Sequence, residues 1–382
     1  MIKVAVLMNG REPGSIVAST LQNKKKIDLK FFTTYPKFFI RKFHIKENNI
    51  KSFYIVEVFK RIILNLLIWC KFKDLIKIEI IFDLLIDYLY CFFLNKKTNV
   101  IIIGFGNSFS KTISKAKKYK IKIIYMTNTA SFSKLKKLNS EYRKFKLKNI
   151  LPLEFYIHKK IKENIKSSDL VIFLSSEQKK TFLFDKILPK KSIILPYPIN
   201  KKLIKFKNYK KNKFIILFVG NDFIRKGAYY LIKAFNSLRL KNAELWMVGN
   251  NLNKYATLLK LPQQNIRYFG SLNYFKLNEI YNRSSIFCMP SFAEGFSLSI
   301  SQAMLCGLPI ITSKFGKDII INNINGYVIE PKNIKKIKNK IKFLYKNKNR
   351  LKKMSNYSII IAKKKFDSRT YSKNLFDQIL EI

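Results

Sequence analysis

Acidic residues are scarce. Asp and Glu number 23 against 75 Lys and Arg, a formal net charge of +52 over 382 residues. Such a balance ordinarily points to nucleic acid or an anionic membrane surface. Only ten of the basic residues are Arg, however, and the Lys excess is spread along the whole chain. Ile, Asn, Phe and Tyr are abundant as well, as expected where an AT-rich coding sequence drives composition, so much of the charge reads as background. Cysteine is nearly lacking: Cys70, Cys91, Cys288 and Cys306 lie far apart with no Cys-x-x-Cys pair. That argues against a disulfide framework or a zinc site. With His44 and His158 as the only histidines, a transition-metal centre has few ligands to draw on, and no metal is expected. The 12 Gly and 10 Pro are too few for collagen-like or linker-dominated architecture. The longest uncharged stretch, Gly295–Ser313, carries Ser297, Ser299, Ser301, Gln302, Gly307 and Pro309 and does not read as a membrane span. The opening Met-Ile-Lys-Val-Ala-Val-Leu-Met is too short an apolar run for a signal peptide and reads as a strand. The expectation is a soluble or peripheral protein of a reducing compartment.

What is present is apolar material for two cores: 48% of the chain is hydrophobic, at a length that suits two ordinary domains. Val4–Leu7, Val100–Ile103, Ile123–Met126, Leu170–Leu174 and Ile193–Leu195 read as buried strands, apolar without polar alternation. Tyr197-Pro-Ile-Asn and the basic run Lys201–Lys213 mark an interdomain linker. Beyond it, Phe214–Val219 ends at Gly220, Leu245–Val248 at Gly249, Ile266–Phe269 at Gly270 and Ser285–Met289 at Pro290, while Leu308–Ile311 follows Gly307. Strands that stop at Gly or Pro before a helix place their loops at the carboxyl edge of a parallel sheet, where open α/β sheets bind ligands.

The segment from Phe53 to Leu94 is helical in character and rich in aromatics. The plainer reading, which we favour from sequence, is core and surface-groove helices of the first domain. The sharper one is docking on an anionic membrane surface. There Lys60, Arg61, Lys71, Lys73 and Lys77 interleave with Trp69, Phe72 and Ile62–Leu67.

Two constellations could carry chemistry. In Gly220-Asn-Asp-Phe-Ile-Arg225-Lys226-Gly227, a strand-end loop enters an amphipathic helix. Cations at a helix start oppose the helix dipole, so an adjacent Arg-Lys there suits a bound anion such as a diphosphate. Arg forks onto phosphate oxygens while Lys acts as a compact charge. The competing reading is a solvated basic pair in a Lys-rich chain. The second constellation runs from Met289 through Glu294 and Gly295 to Gln302 and Pro309. Gly295 permits close backbone approach. Gln302, eight positions after Glu294, would lie two helical turns along the same side, a carboxylate and an amide that could hold polyols. Read singly, Glu294 is an ordinary helix N-terminal acid and Gln302 a surface residue; their order argues for more.

From Phe214 to about Pro331 these words together resemble retaining glycosyltransferases of family 4 with the GT-B fold, the group 1 glycosyl transferases. The matching stretches are Phe218-Val-Gly, Arg225-Lys-Gly, Leu231-Ile-Lys-Ala-Phe, Ser291-Phe-Ala-Glu-Gly-Phe, Gln302-Ala-Met-Leu-Cys-Gly-Leu-Pro and Asn325-Gly-Tyr-Val-Ile-Glu-Pro. The first half is similar more weakly, through Ser168-Asp-Leu-Val-Ile-Phe-Leu-Ser and Ile193-Ile-Leu-Pro-Tyr. The resemblance implies an α/β chain of two Rossmann-like doubly wound domains facing across a cleft. Residues 1–205 would form an acceptor-side domain, 206–362 a nucleotide-sugar-binding domain, and 363–382 a terminal helix crossing back to the first.

It further implies a nucleotide-sugar donor, UDP- or GDP-linked, as substrate, with no cofactor and no metal. Arg225 and Lys226 would neutralise the donor diphosphate, Glu294 would contact the transferred sugar, and the backbone of Gly295, Phe296, Ser297 and Leu298 would lie along sugar and phosphate. Gln302 takes the position of the second acid of the family's Glu-x7-Glu motif, keeping an acceptor oxygen and losing the charge. Gly220 and, from the first domain, Gly14 would approach the phosphates. Asn221 departs from the Arg of many relatives, and no His is evident around Thr127-Asn128. The acceptor would be a glycan or lipid-linked glycan in envelope polysaccharide synthesis, at the cytoplasmic face of a membrane. Two alternatives stand below this one: a non-catalytic GT-B relative that binds a nucleotide or glycan, and a basic nucleic-acid or membrane-surface binder. The dispersed Lys excess argues against specific nucleic-acid recognition.

Overall fold

The computed structural model describes residues 1–9, 13–70, 75–104, 108–145 and 151–382. The first half alternates strand and helix: β1 (Ile2–Met8), α1 (Pro13–Leu21), β2 (Ile27–Thr33), α2 (Lys37–Ile40), β3 (Ile50–Ser52), α3 (Tyr54–Trp69), α4 (Leu75–Phe93), β4 (Val100–Gly104), α5 (Ser110–Lys118), β5 (Lys122–Met126), α6 (Phe132–Lys144), α7 (Leu151–Ser167), β6 (Leu170–Phe173), α8 (Ser176–Phe184) and β7 (Ser192–Ile194). The second continues with β8 (Phe214–Val219), α9 (Ala228–Asn236), β9 (Ala243–Val248), α10 (Leu252–Leu258), β10 (Ile266–Tyr268), α11 (Tyr274–Arg283), β11 (Ile286–Met289), α12 (Leu298–Leu305), β12 (Ile310–Thr312), β13 (Gly326–Val328), α13 (Ile334–Lys346), α14 (Lys348–Lys365) and α15 (Ser368–Glu381).

Two parallel sheets result, with strand orders β3-β2-β1-β4-β5-β6-β7 and β10-β9-β8-β11-β12-β13. In the first, Val4 pairs with Val100 and Ile2 with Ile27; in the second, Phe214 pairs with Ala243 and Phe287 with Ile310. Helices cover both faces, which is why β4 and β9 read as unbroken apolar runs and are buried along their length. The fold is α/β, two doubly wound units of the GT-B type.

The strands read from the sequence coincide with observed ones, but β2, β3 and the short β13 went unread. β2 carries Asp28 and Lys30 within its apolar run, and β3 is a three-residue edge strand. The run Lys201–Lys213, expected as a linker, is tied to the second unit. The Lys205 and Lys207 backbone N–H groups donate to Asn278 and Asn282 of α11 at 2.9 and 2.6 Å. Near the C-terminus Phe366 packs in the second core, whereas Tyr371, Leu375 and Ile379 of α15 pack in the first. Asp367 caps α15 by accepting from the N–H groups of Arg369 and Thr370, and Ser372 donates to the Thr20 carbonyl of α1 at 2.7 Å.

α6 belongs to the first half by chain order, yet Leu138 and Tyr142 join the second core. On the same helix Glu141 accepts from Tyr230 of α9 at 2.6 Å and pairs with Lys332. Glu177 of α8 pairs with Lys314 and Lys317. The two units therefore meet through buried acids of the first and lysines of the second.

Candidate active site

The second sheet winds outward in both directions from β8 and β11, so the loops after these two strands diverge from one switch point. An open α/β sheet presents its ligand crevice there. The loop after β8 carries Gly220–Lys226, and the loop after β11 carries Glu294 and Gly295. Between them opens a cavity of about 730 Å³. Gly220, Arg225, Lys226, Phe296, Ser297, Leu298 and Gln302 line it, joined by Tyr142 from the first unit.

Arg225 and Lys226 precede α9 rather than open it, because Gly227 is the N-cap residue, at φ 78°. Nor are they unbalanced cations. Arg225 Nη1 donates to Glu294 Oε1 at 3.0 Å and to the Ala293 carbonyl at 2.9 Å; Lys226 Nζ donates to the same Oε1 at 2.9 Å. Asp222 adds a second carboxylate, accepting from the Arg225 backbone N–H at 2.9 Å and from Nε at 3.0 Å. Burial disfavours the guanidinium, but Glu294 and Asp222 more than offset it and hold its pKa above the ordinary value. Two cations facing two carboxylates leave the unliganded site without an unpaired buried charge, and an arriving anion would compete with the carboxylates for the cations.

Tyr142 reaches in from α6, its hydroxyl donating to Asp222 Oδ1 at 2.5 Å. Burial and the Asp222 charge both raise its pKa, keeping it protonated as a donor. The sequence reading missed Tyr142 and Asp222. No local signal marks Tyr142, whereas Asp222 stands three residues before Arg225 and was legible.

Glu294 is 7% exposed, and it lies outside the helix. α12 starts only at Leu298, so the two-turn separation expected between Glu294 and Gln302 does not arise. Ser297 is the N-cap, its hydroxyl accepting from the Ile300 N–H at 3.5 Å. Gln302 is buried rather than a surface residue, and Tyr281 of α11 donates to its Oε1 at 3.1 Å. The acceptor oxygen expected to face a ligand is thus shared with Tyr281, and the amide NH2 is available to donate.

Gly295 makes a close approach to the first unit rather than a free ligand cradle. A Cβ there would stand 2.5 Å from the Asn128 carbonyl oxygen, and Ser175 Oγ donates to the Gly295 carbonyl at 2.8 Å. Gly220 is covered by the Lys226 stem, whose Cδ would lie 2.2 Å from an added Cβ. Asn221 joins two loops by accepting from the Asn250 N–H at 3.0 Å. Gly14 is not at the cavity: it is buried in α1 against Met8 and Phe31. Residues 10–12 of its loop lie outside the described residues, as do Lys71, Phe72 and Lys73. His158 sits in α7 stacked on Phe182, its pKa lowered by burial. Among the described residues no three His, Cys, Asp or Glu side chains converge as metal ligands would.

Residues 200–360 match the family of glycosyl transferases group 1. That segment is similar to group 1 glycosyl transferases, and the chain as a whole has the GT-B fold. An uncharacterized glycosyltransferase of Methanocaldococcus jannaschii is 28% identical over 86% of this chain and 83% of its own length. Another, from Haemophilus influenzae, is 29% identical over 52% of this chain and 58% of its own. Among solved structures, Anabaena HepE in complex with UDP and glucose superposes over the full length of both chains, with a TM-score of 0.70 at 13% identity. At that identity the likeness is one of fold. The family match covers the unit that holds Arg225, Lys226, Glu294 and Gln302, and the relatives extend the likeness into the first.

Proposed function

We propose that this protein is a retaining glycosyltransferase of the family 4 type, moving a hexose from a UDP- or GDP-linked donor to a glycan or lipid-linked acceptor. The observation that carries the reading is the pairing of Arg225 and Lys226, which line the switch-point cavity, with the buried Glu294. The donor diphosphate lies against the two cations, which stabilise the charge that grows on it as the bond from anomeric carbon to phosphate oxygen breaks. The acceptor hydroxyl forms the new bond on the same face, and its proton passes to the departing phosphate. Arg225, Lys226 and the amides opening α12 do this without a metal. Glu294 contacts the transferred sugar, and the Gln302 amide donates to a ribose hydroxyl. A place in envelope polysaccharide synthesis at the cytoplasmic membrane face rests on the family resemblance.

The test is a thermal-shift panel of UDP, GDP, ADP, CMP and their sugar conjugates, with Lys226→Ala in parallel. A ligand raises the melting temperature according to its concentration over its dissociation constant. One nucleoside diphosphate should shift the parent and not the variant. No shift with any of them, in a folded sample, would sink the proposal. Binding without hydrolysis or transfer would favour the non-catalytic relative, the reading that the neutral Gln302 motivates.

A further inference from the structure

α3 and α4 form a hairpin on the first unit, and their outward faces are not those of an ordinary surface. On α3, Ile55, Val58, Phe59, Ile62, Leu66 and Trp69 are all exposed, Trp69 to 81%. Their spacing of three and four residues puts them on one side of the helix. α4 repeats the pattern with Ile81, Leu84, Leu85, Tyr88 and Phe92, all exposed. On α4 the opposite side holds Ile86 and Tyr90, buried in the first core. The α4 stripe is therefore not a misplaced core face; on α3, Val56 packs partly buried against the same core, away from the stripe. Two such stripes on neighbouring helices exceed the scattered apolar residues of a monomer's surface and mark an interaction site.

The surroundings say what covers them. Lys51 Nζ lies 3.7 Å from the centre of the Phe93 ring, Lys111 Nζ lies 5.8 Å from that of Tyr88, and Lys115 Nζ donates to the Cys91 carbonyl at 2.7 Å. The rim is cationic. The described acids of the hairpin are accounted for elsewhere. Glu57 pairs with Arg61 at 3.0 Å and Glu79 with Lys60. Asp83 is buried, and Asp87 accepts from the backbone N–H groups of Lys111 and Thr112 at the start of α5. An apolar face with aromatic residues and a basic rim is complementary to a bilayer whose headgroups are anionic. Among the described residues no helix is long and apolar enough to cross a membrane, so the faces suit lying on one.

We propose that the outward faces of α3 and α4 dock this protein on an anionic lipid bilayer surface. Ile62, Leu66, Trp69, Tyr88 and Phe92 enter the headgroup boundary while Lys51, Lys111 and Lys115 meet the lipid phosphates. The proposal is independent of the sugar-transfer reading, because none of these residues lines the switch-point cavity.

The test is flotation of the full chain with vesicles of phosphatidylcholine alone or of phosphatidylcholine with equimolar phosphatidylglycerol. Tryptophan emission is followed in parallel. The chain has two tryptophans, and Trp246 is buried, so a blue shift on vesicle binding reports Trp69. The protein should float with the anionic vesicles only, less at high salt, with the emission shift. Ile62→Gln/Leu66→Gln/Phe92→Gln should abolish flotation while keeping the melting temperature, since these side chains are outside the cores. Lys51→Glu/Lys111→Glu should weaken it roughly tenfold and leave the fold intact. Absence of flotation, or equal binding to both vesicle types, would overturn the proposal. So would a dimer in sedimentation that the Gln variant dissociates, because a second copy would then be the occupant.

Discussion

Tyr281 Oη donates to Gln302 Oε1 at 3.1 Å, and Gln302 also lines the switch-point cavity. An acid at this position could offer a charged second oxygen to a sugar hydroxyl and still accept from Tyr281; glutamine has one neutral carbonyl oxygen, already shared with Tyr281, and an amide donor. Gln302→Glu should therefore tighten nucleoside diphosphate binding by about 1 kcal/mol, the gap between neutral and charge-assisted hydrogen bonds. Titration calorimetry of the parent and the variant decides it, and equal affinities would remove Gln302 from ribose recognition.

Lys226 shares Glu294 with Arg225, so its loss leaves the carboxylate paired. Lys226→Ala should lower transfer at least tenfold, for a lost charge-assisted contact of ~1.5–3 kcal/mol. The melting temperature of the unliganded protein should fall much less. Equal activity in folded parent and variant would defeat the diphosphate role.

Removing the carboxylate instead strands Lys226, while Arg225 keeps Asp222. Glu294→Ala should destabilise the unliganded protein by about 3–5 kcal/mol, the cost of uncompensated buried charge. An added nucleoside diphosphate should then raise the melting temperature more in the variant than in the parent. A smaller rise in the variant would place the anion away from Arg225 and Lys226.

Two glycines of the cavity rim separate binding from folding. An added Cβ at Gly220 meets the Lys226 stem, whereas one at Gly249 meets the Gly220 carbonyl oxygen at 2.2 Å, with φ at 148°. Gly220→Ala should displace Lys226 and weaken diphosphate binding while the fold survives. Gly249→Ala should cost about 2–3 kcal/mol through backbone strain and displacement. Parallel melting and binding curves check the split; equal melting losses would refute it.

The contact between the units should be acid-sensitive. Burial raises the Glu141 pKa, but Lys332, Tyr230 and Lys144 outweigh it and hold it below the ordinary 4.5; burial acts likewise on Glu177, and Lys314 and Lys317 outweigh it. A depressed folded-state pKa contributes stability that is present above the unfolded value and lost as pH falls through the folded one. Melting temperature should thus decline below pH 4.5, and the decline should be shallower in Glu141→Gln. Identical profiles would show that Glu141 does not drive it.

The site was legible in part. Val219-Gly220 and Met289-Pro290 announce strand ends, and Arg225-Lys226 and Glu294 stand out as charges beside them. Their pairing was not legible, since it joins residues 68 and 69 positions apart through the β8–β11 adjacency. Gly14 was singled out for its loop, yet it serves the packing of α1 on Met8 and Phe31. The basic aromatic stretch 53–94 carried two readings: Phe53, Ile86, Tyr90 and Leu94 lie in a core, as the first expects, while the exposed faces of α3 and α4 are those on which the docking proposal rests.

By itself the sequence determined the alternation of buried strand and amphipathic helix, the loops ending at glycine and proline, and the cationic excess. These are local properties: periodicity of burial and backbone preference are written within a few residues. Only the tertiary structure decided that Glu294 balances Arg225 and Lys226, that Tyr281 claims the Gln302 oxygen, and that Tyr142 crosses from α6 to Asp222. It also decided which faces of α3 and α4 stay outside. Those outcomes depend on sheet order and on how the units pack, which bring together groups that no local pattern connects.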